Sequence, residues 1–184
     1  MLVNTDQQYG AVAIALHWFM AVLLVALIVL GLYVSDLPDV GFNKQKILLI
    51  LYHKEYGMLA LGLAVVRLAW RIGNVLPVLV ENIPDWQKVA ARFVHLSFYG
   101  LMFALPITGW LMSSAASIPV YVFGVRLPDL IGHNEHLFQV FIEVHKWLSY
   151  ALIGFILVHA GAALRHHFLC RDDTLKKILP GKRR

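Results

Sequence analysis

Cysteine is almost absent. Cys170 stands alone among 184 residues, so the chain can close no internal disulfide, attach no prosthetic group through a C-x-x-C-H pair of thioethers, and offer no thiolate set for an iron–sulfur cluster. Charge is scarce as well. Asp, Glu, Lys and Arg make up 15% of the chain, against about 25% in a soluble domain. Carboxylates thin out further in the apolar stretches, where only Glu55 lies inside and Glu143 sits at an edge; a carboxylate-bridged di-iron centre lacks its ligands. There is no internal repeat and no low-complexity segment. The first apolar stretch has neither a basic leader nor an A-x-A-type exit, so it is expected to be a permanent helix and not a cleaved signal.

What fills the space is hydrocarbon. The chain is 59% hydrophobic with a mean hydropathy of +0.68, and four windows reach the length of about 20 apolar residues that a bilayer crossing needs. They are Val12–Val34, Ile47–Trp70, Phe93–Met112 and Val144–Leu164. The expectation is one all-α membrane domain over residues 1–184, a four-helix transmembrane bundle with antiparallel neighbours. The link Ser35–Lys46 holds Pro38 and Gly41 and reads as a turn. The link Arg71–Arg92 holds Pro77 and Pro84 and cannot be a single helix. The link from Ser113 to about Glu143 is the longest, and its apolar piece "IPVYVFGVRLP" is too short to cross; it should lie on or cap the outer surface. Pro106 inside the third span should kink it.

The cations are distributed unevenly. With the N-terminus inside, Arg67, Arg71, Lys88, Arg92, Arg165, Arg171, Lys176, Lys177, Lys182, Arg183 and Arg184 fall on the inner side, eleven of the sixteen. By the positive-inside rule both termini are expected in the cytoplasm. The tail "LKKILPGKRR" reads as a topology anchor against anionic lipid in preference to a nucleic-acid contact.

Histidine is the residue that does not belong. Nine occur, and His17, His53, His95, His145 and His159 lie within the apolar spans. An ionisable group in hydrocarbon is expensive and points to function. His145 and His159 are fourteen residues apart, so they return to within about 40° of one helix face while climbing about 21 Å. Antiparallel threading sets His53 level with His145 near the outer surface and His17 level with His159 near the inner one. His95 joins the inner layer. Two imidazoles facing across a bundle suit haem iron, which takes axial ligands above and below its ring. Zinc would want three or four ligands around one point, not two per layer. Gly57, near His53, and Gly161, Ala162 and Ala163, near His159, would leave room for a wide ring. Bis-histidine ligation fills both axial positions and leaves one-electron transfer as the cofactor's chemistry. Isolated histidines bonded to neighbouring helices are the plainer alternative.

The inner end carries further polar groups. Arg67 and Arg71 follow His53 on its own face and could meet haem propionates or a quinone head group, or serve as topology anchors. His166 lies seven residues beyond His159, about 20° off its face.

Together these pieces resemble the bacterial cytochrome b561 family over nearly the whole length. The matching segments are "ALHW", "YHKEYG" and "VVRLAWR", "VHLSFYGLMFALPITGW", and "VHKWLSYALIGFILVHA" followed by "HHFLCRDDTLKKILPGKRR". The resemblance implies two non-covalent b haems, with ligand pairs His17–His159 inside and His53–His145 outside. It places His95 and His166 near the inner haem and quinone. It also implies a bacterial inner-membrane protein passing single electrons between a periplasmic partner and ubiquinone, one family member being a superoxide oxidase. The outer charges Lys44, Lys46, Lys54, Arg126 and Lys146 are outnumbered by Asp36, Asp39, Glu55, Asp129, Glu135 and Glu143, so no anion-steering patch is legible. The alternatives are a membrane-anchor cytochrome b subunit of a larger oxidoreductase such as a hydrogenase, a non-redox scaffold, and a histidine-based metal transporter. No partner subunit and no nucleic acid is called for by the sequence.

Overall fold

The computed structural model describes residues 1–38, 43–78 and 84–180. Gly41 and Asp39 of the first link and Lys182, Arg183 and Arg184 of the tail lie outside the described residues. Four long helices dominate: α1 (Ala11–Asp36), α2 (Lys44–Ile72), α3 (Asp85–Ala115) and α4 (Glu135–Arg165). Each is long and apolar enough to cross a membrane. Large apolar side chains such as Phe19, Val22, Val29, Leu157 and Val158 face outward. That exposure would be costly in water and suits lipid.

All four helices outrun the apolar windows. The third begins at Asp85, eight residues before Phe93, and the fourth at Glu135, nine before Val144. Local signals set these starts. Pro84 precedes α3 and Asp85 opens it, favourable at the positive end of the helix dipole. The Asn134 side chain accepts a 3.0 Å hydrogen bond from the Leu137 N–H and caps α4. Asn43 does the same for α2 through the Lys46 N–H at 3.0 Å. Hydropathy sees where the membrane ends; capping decides where the helix ends. Pro106 is carried within α3 without ending it.

The connection between α3 and α4 is therefore shorter than its apolar composition suggests, and it is ordered. Strands β1 (Tyr121–Val122) and β2 (Val125–Arg126) pair Tyr121 with Arg126 and Val122 with Val125. Phe123 and Gly124, at φ 48° and 83°, make the two-residue turn; positive φ at both central positions matches the strand twist. Glu55 of α2 accepts the Phe123 N–H at 2.6 Å, and β1 packs on α2. The "VYVFGVR" piece is thus a hairpin clamped to the N-terminal half of α2.

The opposite end gathers both termini. The Asn4 side-chain amide donates to the Val75 carbonyl at 3.0 Å, the Val78 N–H to Asp6 O at 2.8 Å, and the Trp18 indole to Ile178 O at 2.8 Å. Lys177 Nζ donates to Val78 O at 2.6 Å. These bonds stitch the first residues, the α2–α3 link and the tail into a polar cap.

Packing is uneven. Buried Met20, Ala64 and Met102, with Leu24, Leu63, Tyr99 and Phe103 around them, join α1, α2 and α3 at mid-depth. α4 packs along α3 but forms no packed backbone interface with α1 or α2 among the described residues. It stands off where its two in-span histidines face the other two helices.

Candidate functional site

Two histidine pairs bridge that separation. The rings of His17 (α1) and His159 (α4) have centroids 6.2 Å apart at 57°. Those of His53 (α2) and His145 (α4) are 6.3 Å apart at 73°. Two imidazoles bonded at about 2 Å to opposite faces of one metal place their nitrogens about 4 Å apart and their ring centres about 6 Å apart. Both spacings suit a shared metal with a flat ligand between the rings, and both are too wide for a direct imidazole–imidazole hydrogen bond of about 3 Å. Leu152, 2% exposed, lies seven residues from each α4 histidine and separates the two levels.

The level near the hairpin is shaped by glycines on the partner helices. A Cβ on Gly31 of α1 would lie 3.1 Å from His53 Cε1, and one on Gly109 of α3 would lie 3.5 Å from His145 Cε1. Gly57 and Gly161, read from the sequence as leaving room for a wide ring, face open space: a Cβ on either meets nothing within 4 Å. Gly31→Ala is expected to push the His53 ring aside and lower cofactor occupancy at this level, whereas Gly109→Ala makes ordinary contact and leaves it unchanged. Comparing the absorption spectra of the two purified variants checks this, and equal occupancy would refute the tight fit at Gly31.

Hydrogen bonding distinguishes the rings. Thr108 Oγ gives its one proton to the Leu105 carbonyl at 2.9 Å and lies 3.1 Å from His145 Nδ1. Its oxygen can then only accept, so Nδ1 carries the proton and Nε2 keeps the free lone pair, the arrangement a metal-ligating histidine needs. His53 Nδ1 is buried with no partner, an open valence at the same level. His17 differs, because Arg67 donates to its Nδ1 at 3.1 Å. A neutral imidazole has one free lone pair. Ligation of a metal by His17 would therefore take Arg67 off that nitrogen and free a guanidinium beside the site.

The level of His17 and His159 is larger than a pair. His95 and Phe98 both lie edge-on to His159, with ring centroids 5.5 and 5.3 Å from it. Arg71 lies over the Tyr99 ring at 5.7 Å, a cation–π contact one turn from His95. Trp70, between the two arginines, has a buried indole N–H with no acceptor. His166 is not joined to these groups. Its Nδ1 donates to Asp172, whose other oxygen accepts the Thr174 N–H at 2.9 Å. Burial pushes the Asp172 carboxyl up, but the hydrogen bonds from Thr174 and His166 outweigh it and hold it below the usual carboxylate range. Sequence reading brought together His17, His53, His95, His145, His159 and Arg67. It missed Gly31, Gly109, Thr108, Phe98 and Asp172, none of which carries a signal before the helices are packed.

At the hairpin end, a cavity of about 250 Å³ opens between α2 and the hairpin. Tyr52, Lys54, Glu55 and Tyr121 line it. Arg126 and Lys146, outer cations, pair with Asp129 and Glu143 at 3.2 and 3.1 Å.

A lipid-embedded four-helix bundle whose interior offers opposed histidines at two depths defines an integral membrane electron-transfer protein. Comparison with known proteins gives the same class a family. The family profile "Prokaryotic cytochrome b561" matches residues 8–181. Cytochrome b561 homolog 2 of Escherichia coli (strain K12) is 32% identical over 179 residues, 96% of this chain and 93% of that protein. Cytochrome b561 homolog 1 of the same strain is 29% identical over 109 residues, 58% of this chain and 61% of that protein. A probable superoxide oxidase, CybB of Yersinia pestis, is 26% identical over 180 residues, covering 96% and 98% of the two chains. The chain belongs to the prokaryotic cytochrome b561 family, and its cofactor class is haem b.

Proposed function

We propose that the chain holds two non-covalent b haems, one between His17 and His159 and one between His53 and His145, and that it carries single electrons between a periplasmic redox partner and the quinone pool of the bacterial inner membrane. The observation that carries this reading is the pair of ring separations, 6.2 and 6.3 Å, on one helix that stands clear of α1 and α2. The cationic inner face favours both termini in the cytoplasm.

When bound, haem b supplies reversible one-electron oxidation and reduction at low energetic cost. The protein supplies the rest. Thr108 fixes the tautomer of His145, and Gly31 and Gly109 leave the outer imidazoles room to keep their orientation. Leu152 and the Met20–Ala64–Met102 cluster keep the space between the two levels dry. Arg67, released from His17, is placed to take a carboxylate of the cofactor or a quinone oxygen; Arg71 and His95 lie at the same end. Reducing a quinone takes two electrons and two protons. The chain therefore needs a proton carrier at this end, and His166 bound to Asp172 is the group suited to it.

Superoxide is the candidate donor. The support is one relative's name at 26% identity and the presence of Lys54 in the cavity beside the hairpin, since a cation there would draw a small anion toward the outer level. Pyridine-haemochrome quantitation of the purified protein tests the central claim. Two low-spin b haems per chain are expected; one haem, or a high-spin spectrum, would refute the pairing.

A further inference from the structure

α4 ends in an unusual way. The helix widens into a π-helical turn over His166–Cys170, and the chain reverses at Arg171, whose φ of 53° is left-handed. Such turns often mark functional sites. The reversal brings the Asp172 N–H to His166 O at 3.2 Å and swings its carboxylate back over the turn. As a result, a ring nitrogen of His166, Sγ of Cys170 and a carboxylate oxygen of Asp172 all lie within 4.8 Å of one another. The sole thiol of the chain thus sits beside the His166–Asp172 pair.

We propose that this turn is a divalent-metal site, binding zinc or a similarly borderline-soft ion through His166, Cys170 and Asp172. The donor set is one soft thiolate, one imidazole and one hard carboxylate, a mixture that suits zinc better than magnesium or calcium, which want oxygen alone. Bonds of about 2.0–2.3 Å give tetrahedral ligand–ligand edges of about 3.3–3.8 Å. Cys170 is exposed, and turning its side chain while lengthening the His166–Asp172 contact would bring the three donors to such edges. The Thr174 N–H already holds one Asp172 oxygen at 2.9 Å and presents the other to the ring, the outer-shell support that fixes a ligating carboxylate. Three protein ligands leave the fourth position to water.

The local cations oppose this site. Arg165, Arg171, Lys176 and Lys177 share the segment. Lys176 is paired with Asp173 at 2.8 Å and Lys177 is bonded to Val78 O at 2.6 Å, so two of the four are committed to other partners. The site is tested apart from the quinone reading, because the readout is metal and thiol instead of turnover. An ion held there would occupy His166 and Asp172 and block the proton delivery proposed for them.

The haem-loaded full chain in detergent is titrated with zinc while maleimide labelling of Cys170 is followed. One zinc per chain is expected beyond whatever Cys170→Ser binds, at micromolar affinity or tighter. Labelling should slow at least tenfold, with full recovery on adding EDTA. Asp172→Asn and His166→Ala should each lose that protection, with both haems still present by spectrum. Labelling indifferent to zinc, equal zinc content in wild type and Cys170→Ser, or undiminished protection in Asp172→Asn would each overturn the site.

Discussion

His53→Ala and His145→Ala should each purify with one haem in place of two, and the haem retained should be the same one in both variants. His17→Ala and His159→Ala should retain the other. The reasoning is geometric: each pair spans about 6 Å, so removing either ring leaves a single imidazole that supplies one axial bond across a gap built for two. The reciprocal assignment matters most. His145 and His159 share α4, so a merely misfolded helix would lose both haems together. Redox titration of the four variants separates the cases, since each level is expected to keep one potential. If His17→Ala retained the same haem as His53→Ala, the pairing by depth would be wrong.

The second large effect is expected at the end where both termini lie. His166→Ala should slow quinone-coupled haem reoxidation at least tenfold while both haems remain, because proton delivery is removed but the electron path is not. Asp172→Asn should give a smaller loss, as the ring keeps a neutral acceptor in the amide oxygen but loses the charged carboxylate that can take its proton. Arg71→Ala should act on quinone affinity and leave the maximal rate closer to normal, since arginine binds an oxygen but releases no proton. Stopped-flow reoxidation with a soluble ubiquinone analogue distinguishes rate from affinity. Unchanged kinetics in both His166→Ala and Arg71→Ala would move the quinone elsewhere.

Much of the fold was legible because hydrocarbon imposes a length and a period. Four apolar windows gave four helices, and fourteen-residue spacing on one helix gave two depths. What the sequence could not show is what depends on neighbours. Asp85–Arg92 and Glu135–Glu143 look like loops to a hydropathy window, yet Pro84 and Asn134 start helices there and extend them into the interface. Gly31 and Gly109 look like any span glycine until α1 and α3 bring them against His53 and His145. The inner layer was readable from depth, but the Arg67–His17 bond was not, because helix period places a residue on a face without saying which side chain it meets. His166 shows the limit best. Its angle placed it on the face of His159, but the π-helical turn and the reversal at Arg171 give it to Asp172.

The stand-off of α4 bears on how the protein is made. Both histidine pairs take one member from α4, the fourth of these helices to be synthesised, so neither pair exists while the first three are inserting. Those three already share the Met20–Ala64–Met102 cluster and form a nascent scaffold. Among the described residues α4 packs most closely along α3. If the pairs hold haem as proposed, cofactor capture waits for α4, and both sites are completed by a single insertion event. A chain arrested before α4 would carry half of each ligand set and is expected to retain neither group.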